Sequence, residues 1–248
     1  MKQKIVLIGA TSAIAEHCAR SWASAGAGEI VLVGRDAARL ERVAADLRVR
    51  GPETAVNVLE SDFFDPAAIA ALAGRIVAEG LPDIVLIAHG SLPEQARCES
   101  DLAACRAALE INAVSPVLFA EAFATHFAAA GRGTLAVIGS VAGDRGRKSN
   151  YVYGAAKGLV TRYVQGLQHR FAGTAVRVVL IKPGPTDTPM TAHLKAQGAK
   201  LAPVEDVAAQ IVAAIAAGRP EAYVPGKWWL IMQVIRHLPR FIFNRMNI

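Results

Sequence analysis

Residues 5–15 read IVLIGATSAIA. Four apolar residues, Ile5–Ile8, meet a turn that opens on Gly9, and a helical pattern follows over Ile14–Ala25. A strand that passes through a tight turn into a helix is the repeating unit of doubly wound α/β sheets. Further strand-like runs occupy Ile30–Val33, Ala55–Leu59, Ile84–Ala88, Thr134–Ile138, Val176–Ile181 and Ala222–Val224. Helical periodicity fills the intervals at Ala37–Arg50, Ala67–Glu79, Leu102–Ala129, Tyr153–Phe171 and Val204–Ala217. Several strands are apolar on both faces, as a buried parallel sheet requires. Right-handed crossovers then predict a doubly wound, mostly parallel, Rossmann-like sheet of about seven strands with helices on both faces. Asp36 can cap one helix, and Pro66 and Pro203 suit first helical turns.

At 248 residues and 53% apolar, the chain can bury a large core. It has no internal repeat and no break in composition before about residue 226. This gives a catalytic domain over 1–225 and a hydrophobic, basic tail over 226–248. No stretch has the build of a signal peptide, and no apolar run reaches bilayer length. The expectation is a cytoplasmic protein, peripheral at the inner face of the cell membrane. Cys18, Cys98 and Cys105 form no CxxC and no ligand spacing with histidine, so they read as reduced thiols and no metal is expected. Of the net charge of +6, Lys227, Arg236, Arg240 and Arg245 supply four, and the tail has no acid. The body is therefore close to neutral, which argues against a nucleic-acid partner.

The turn GATSAIA (Gly9–Ala15) stands where the pyrophosphate of a dinucleotide would meet a helix N-terminus, lined by Gly9, Thr11, Ser12, Ala13 and Ile14. Only Gly9 remains of the three glycines usual there, and Ala13 adds a methyl group where backbone and phosphate come close. Without a ligand, the same residues make an ordinary strand–helix turn capped by Thr11 or Ser12. At the tip of the second strand Gly34 replaces the acid that would hold a ribose 2′-hydroxyl, and Arg35 follows. Arginine pairs with a 2′-phosphate, which favours NADP(H) over NAD(H); the alternative is a solvated charge at a helix start.

The stretch SNYVYGAAKG, residues 149–158, carries the chemistry. Tyr153 and Lys157 are four apart and share a helix face, whereas Tyr151 lies roughly 240° around from the lysine. A fixed cation beside a phenol lowers its pKa from about 10 and lets it exchange a proton with a ketone or alcohol. Ser140 follows a strand end, where such sheets bind ligands, and can hold the same oxygen. Asn112 lies inside a helical segment, where its propensity is poor. It reads either as part of a polar network with a water relay to Lys157 or as a kink ahead of Pro116.

Together these residues resemble the short-chain dehydrogenase/reductase family over almost the whole chain. Asn112, Ser140, Tyr153 and Lys157 match its catalytic tetrad in order and spacing, and Tyr153 and Lys157 also face the cofactor. The resemblance implies an NAD(P)-dependent oxidoreductase, and a homo-oligomer. It places Asp62 and Phe63 at the adenine, Ala88, His89 and Gly90 along the cofactor, and Pro183, Gly184, Thr186 and Thr188 on the nicotinamide side. Two departures stand out: the thinned glycine turn, and Ile87–Ala88–His89–Gly90 in place of NNAG. His89 reads as a local structural substitution rather than a catalytic base.

Arg145, Arg147 and Lys148 lie between Ser140 and Tyr153 in a loop that borders the substrate pocket in such a fold. They suit an anionic group such as a phosphate, or else a solvated loop. The tail, KWWLIMQVIRHLPRFIFNRMN, suits either an anionic membrane interface or burial against a second subunit. With GDRGRKSNYVYGAAKG it resembles the branch of the family that reduces decaprenylphosphoryl-2-keto-ribose. That likeness implies a lipid-linked phosphosugar substrate, an oxidase partner and a role in cell-wall arabinan. A reductase of steroid or fatty-acyl ketones, or a non-catalytic NAD(P)-binding redox sensor, are the alternatives.

Overall fold

The computed structural model describes residues 2–246. Seven strands, β1 (Lys4–Ile8), β2 (Glu29–Gly34), β3 (Ala55–Glu60), β4 (Ile84–Ile87), β5 (Gly133–Ile138), β6 (Val176–Pro183) and β7 (Glu221–Val224), form one sheet in the order β3-β2-β1-β4-β5-β6-β7. Every pairing is parallel. The side-chain alternation of a strand sends Ile5 and Leu7 to one face and Val6 and Ile8 to the other, so β1 is apolar throughout.

On the first face lie α1 (Ala13–Ser24), α2 (Ala37–Arg50) and α9 (Val204–Ala216). On the second lie α3 (Pro66–Ala78), α6 (Ser115–Ala130) and α7 (Tyr151–Arg170). Phe119, Phe123 and Phe127, spaced one turn apart on α6, are fully buried against the second face. Each contributes about 2 kcal/mol or more by leaving water. The short helices α4 (Gln95–Ser100), α5 (Leu102–Leu109) and α8 (Ala192–Ala196), and the C-terminal α10 (Lys227–His237) and α11 (Arg240–Phe243), complete the fold. Asp36 caps α2 by accepting from Arg39 N at 3.0 Å, and Asp65 caps α3, which begins with Pro66.

Two features depart from the periodicity. The segment expected as one helix over Leu102–Ala129 is α5 and α6 joined by a π-turn at Glu110–Val114. Pro116 has no N–H to give the Asn112 carbonyl, and the Ser115 N–H reaches back five residues to Glu110 O. The combined run, Leu102–Ala130, has the length and, at a mean hydropathy of 1.4, the composition of a bilayer-crossing helix, which the reading by apolar runs did not credit. Its phenylalanines pack on the sheet instead.

The segment after β7 folds back onto the body. Met232 is buried against Val141 and Tyr223, with Trp228 and Ile235 beside it. Residues 247 and 248 of the expected tail lie outside the described residues.

Candidate active site

Strand β5 delivers Gly139 and Ser140 to the C-terminal edge of the sheet, where the Gly139 N–H is held by Ile181 O at 2.7 Å. Ser140 Oγ accepts from Ala142 N at 3.1 Å and so caps a 3₁₀ turn over Val141–Gly143. That bond occupies an acceptor site of the hydroxyl and leaves its O–H to donate. The turn nests on α7 because two glycines permit it. A Cβ at Gly143 would lie 2.6 Å from the Lys157 carbonyl carbon, and one at Gly154 would lie 3.0 Å from Ala142 O. These two glycines, not singled out from the sequence, set the approach of the serine turn to the tyrosine helix.

On α7, Tyr153 turns toward Ser140, while Tyr151 is 46% exposed and faces Glu99. Lys157 is 3% exposed, donates to Ile138 O at 3.0 Å, and lies 5.9 Å from the centre of the Tyr153 ring. The expected lowering of the phenol pKa is not what this arrangement produces. Burial raises Tyr153, and the hydrogen bond from Ser140 only partly opposes it. Burial also pulls Lys157 down to about 8. Desolvation is the leading cause at both groups and favours their neutral forms, so the phenol keeps its proton at neutral pH.

Asn112 stands in the π-turn and is fully buried. Its Oδ1 accepts from Ser91 N at 2.9 Å and its Nδ2 donates to Ala108 O at 2.9 Å. The amide thus ties the π-turn to the Gly90–Ser91 turn. Gly90 (φ +157°) completes the corner: a Cβ there would lie 2.7 Å from Asn112 Oδ1 and 3.6 Å from Lys157 Nζ.

A cleft of about 900 Å³ starts at Gly9, Thr11, Ser12, Ala13 and Ile14, passes Arg35 and Phe63, and reaches His89 and Gly90. Its far wall includes Thr188 and Met190. The residues fit a dinucleotide. Gly9 has φ +82°, and a Cβ on it would lie 2.6 Å from His89 Cβ, so the turn has no room for a side chain. Neither Thr11 nor Ser12 caps α1: the Ser12 side chain makes no cap bond, which leaves the first N–H groups of a twelve-residue helix to the cleft. Arg35 and Arg39 line the cleft at the tip of β2, and neither guanidinium has an acidic partner among the described residues. Arg39, one turn beyond Arg35, carries no local signal of a ligand, because its position in the first turn of α2 reads as an ordinary solvated helix charge.

The other sequence-derived positions divide. Thr188 lies on the cleft wall. Asp62 is exposed and accepts from Phe64 N at 2.7 Å, within its own loop. Ala88 is buried at the strand end and donates to Ile8 O. Thr186 is buried and donates to Gly184 O at 2.9 Å. Pro183 closes β6, and Gly184 lies under an indole: a Cβ there would be 1.9 Å from Trp228 Nε1. His89 packs edge-on between Phe63 and Phe119 and shares a 2.9 Å hydrogen bond with Ser115 Oγ. Burial, and then the neighbouring Lys157, pull it to about 3, so it is a neutral wall residue and no base near neutrality.

The cationic loop differs most from expectation. Arg145 donates to Ile235 O at 2.5 Å and Leu238 O at 2.7 Å and stacks 3.8 Å over the Phe243 ring. It closes the C-terminus of α10, so it is not available to a substrate. Arg147 is half-buried, with burial lowering its pKa, and Lys148 is exposed; neither lines the large cleft. The lining beyond Gly90 includes Arg97 of α4, with Glu94 and the apolar Leu92, Pro93, Ile111 and Met190. Arg97 was missed because α4 shows no apolar periodicity.

The short chain dehydrogenase family model matches residues 3–199. An uncharacterised oxidoreductase of Mycobacterium tuberculosis is 37% identical over 243 residues, covering 98% of this chain and 96% of that protein. An uncharacterised oxidoreductase of Streptomyces coelicolor is 34% identical over 246 residues, with the same two coverages. Among solved structures, a short-chain dehydrogenase from Sphingobium yanoikuyae in complex with NADPH superposes with a TM-score of 0.83 at 23% identity, over 99% of this chain and 96% of that one. With a sheet, a serine–tyrosine–lysine corner and a dinucleotide-shaped cleft already in place, the chain belongs to the short-chain dehydrogenase family of NAD(P)-dependent oxidoreductases.

Proposed function

We propose that the chain reduces the ketone of a lipid-like, anionic substrate with NADPH, and that a polyprenylphosphoryl 2-keto-pentose is the substrate class it suits best. One observation carries the reading: Gly90 at one end of the cleft adjoins Lys157, whose helix turns Tyr153 toward Ser140, and the other end of the cleft holds Arg35 and Arg39, which have no acidic partner among the described residues. The reduced nicotinamide, when bound, supplies hydride to the carbonyl carbon. Tyr153 gives its proton to the carbonyl oxygen, and its raised pKa keeps that proton in place at pH 7. The Ser140 O–H, which donates to Tyr153 in this structure, turns to donate to the same carbonyl oxygen. The buried Lys157 ammonium, when charged, favours the phenolate left behind. Arg35 and Arg39 suit a 2′-phosphate as a charge-assisted pair.

The apolar wall of Leu92, Pro93, Ile111 and Met190 supports a lipid-like ketone, and Arg97, which shares this lining with Glu94, is the cation that would meet an anionic group. Arg97 takes the part first expected of Arg145. The arabinose-forming activity and an oxidase partner rest on likeness to that branch of the family.

The test is a cofactor-oxidation assay on polyprenylphosphoryl keto-pentose and on matched ketones without phosphate. NADPH is expected to exceed NADH in kcat/KM, and Arg35→Ala with Arg39→Ala to lower that preference by about tenfold or more. Equal turnover with both cofactors sinks the NADPH assignment, and equal turnover of neutral and phosphorylated ketones sinks the anionic substrate.

A further inference from the structure

The two C-terminal helices present a surface that the reaction does not use. On α10, Trp228, Met232 and Ile235 recur at helical spacing and face Val141 and Tyr223. The rest of the helix is turned outward. Trp229, Leu230 and Val234, and Phe241 of α11, are each more than half exposed. Isolated exposed apolar residues are ordinary, but a contiguous set on one short segment marks an interaction site. Lys227, Arg236, Arg240 and Arg245 stand exposed along the same segment, which carries no acid. The neighbouring acids Asp144 and Glu221 are engaged with Lys182.

The surface is held rigid before any partner arrives. Arg145 ties the carbonyls of Ile235 and Leu238 and stacks on Phe243, which fixes α11 against α10. The apolar face therefore does not need to be ordered on contact.

We infer that the outer face of α10 and α11 docks the enzyme on an anionic lipid surface. Charge selects this occupant over a second copy of the chain. Two copies meeting through this face would oppose eight basic side chains with no acid between them, whereas an anionic bilayer satisfies both the apolar residues and the cations. The docking goes beyond the proposed reduction and does not depend on which ketone is reduced. It would also bring the bilayer beside the catalytic edge of the sheet, since Trp228, neighbour of the outward Trp229, lies on Gly184.

The experiment is vesicle flotation of the full chain on phosphatidylcholine alone and on phosphatidylcholine with about one-third phosphatidylglycerol. Binding to the anionic vesicles is expected to exceed binding to neutral ones by about tenfold or more, and to weaken in high salt. The triple variant Trp229→Ser, Leu230→Ser, Val234→Ser and the double variant Arg240→Glu, Arg245→Glu should each abolish flotation. Both should keep wild-type circular dichroism and turnover of a water-soluble ketone. Absence of flotation by the wild-type chain overturns the inference, as does flotation indifferent to lipid charge or to both variants. A wild-type dimer that light scattering shows to dissociate in the triple variant also overturns it, in favour of a second copy.

Discussion

Tyr153 and Lys157 show how far a spacing rule carries. Four residues on one helix did bring phenol and ammonium to one corner, but their protonation is governed by what surrounds them. Lys157 is buried and Tyr153 half-buried, and desolvation raises the phenol and lowers the amine. Such a phenol suits donation to a ketone better than abstraction from an alcohol. Tyr153→Phe is expected to lower reductive turnover by about 10²–10⁴-fold while leaving NADPH binding by fluorescence intact. Turnover within a few-fold of wild type would remove Tyr153 from the chemistry. Lys157 gives a second prediction. Keeping its charge at pH 7, when its pKa has fallen from 10.5 to about 8, costs about 3 kcal/mol. Lys157→Met removes that cost but also leaves Ile138 O without its donor, a loss of about 1–2 kcal/mol. The variant should therefore unfold in urea with about 1–2 kcal/mol more stability at pH 7, and be inactive. Below pH 8 both states of the wild-type lysine are charged, so the gain is constant. From pH 8 toward 10.5 the folded lysine is neutral while the unfolded one stays charged. Wild-type stability then climbs and the gain shrinks. A difference independent of pH over that window would contradict the assigned titration.

Between elements, the connection that matters is a buried ionic cluster. Lys182, near the end of β6, is 2% exposed and bonds Asp144 at 2.7 Å and Glu221 of β7 at 2.5 Å. Tyr223 Oη donates to the other oxygen of Asp144 at 2.7 Å. Asp144 directly follows the turn that Ser140 caps, so the cluster ties the Ser140 turn to the last two strands. Removing one partner of a buried pair strands the other. Lys182→Met is expected to cost about 3–5 kcal/mol in urea unfolding. The double variant Lys182→Met, Asp144→Asn should recover part of that loss, since the stranded charge goes with it. If the double variant loses as much as the sum of the two single ones, the cluster is not acting as a unit. Gly143 and Gly154 belong to the same scale. Their sequence neighbours give no sign of need, and only the nesting of the serine turn on α7 shows why no Cβ fits.

At the scale of the molecule, the strand–turn–helix at Ile5–Ala15 and its recurrences were enough to predict the doubly wound sheet. A parallel strand buried on both faces has to be apolar at successive positions, and a crossover helix has to be apolar at every third or fourth; both periods are written into the chain. The serine, tyrosine and lysine were legible for the same reason, because each stands at a strand end or a helix position that periodicity locates. Contacts between residues distant in sequence were not. Arg145 looked like a substrate cation until α10 came to lie on it, and Arg97 and Arg39 entered the cleft on helices whose local pattern says nothing of ligands. Asn112 was placed correctly in a helix, yet its π-turn and its hold on Ser91 depend on Pro116 and on a loop some twenty residues earlier. The sequence by itself determined the sheet and its helices and singled out Tyr153 and Lys157 as neighbours on one helix face, since local periodicity and spacing encode these. Only the tertiary structure decided the protonation of that pair, the cations left free for ligands and the face left open on α10 and α11, because desolvation and charge pairing are set by neighbours that the chain brings in from afar.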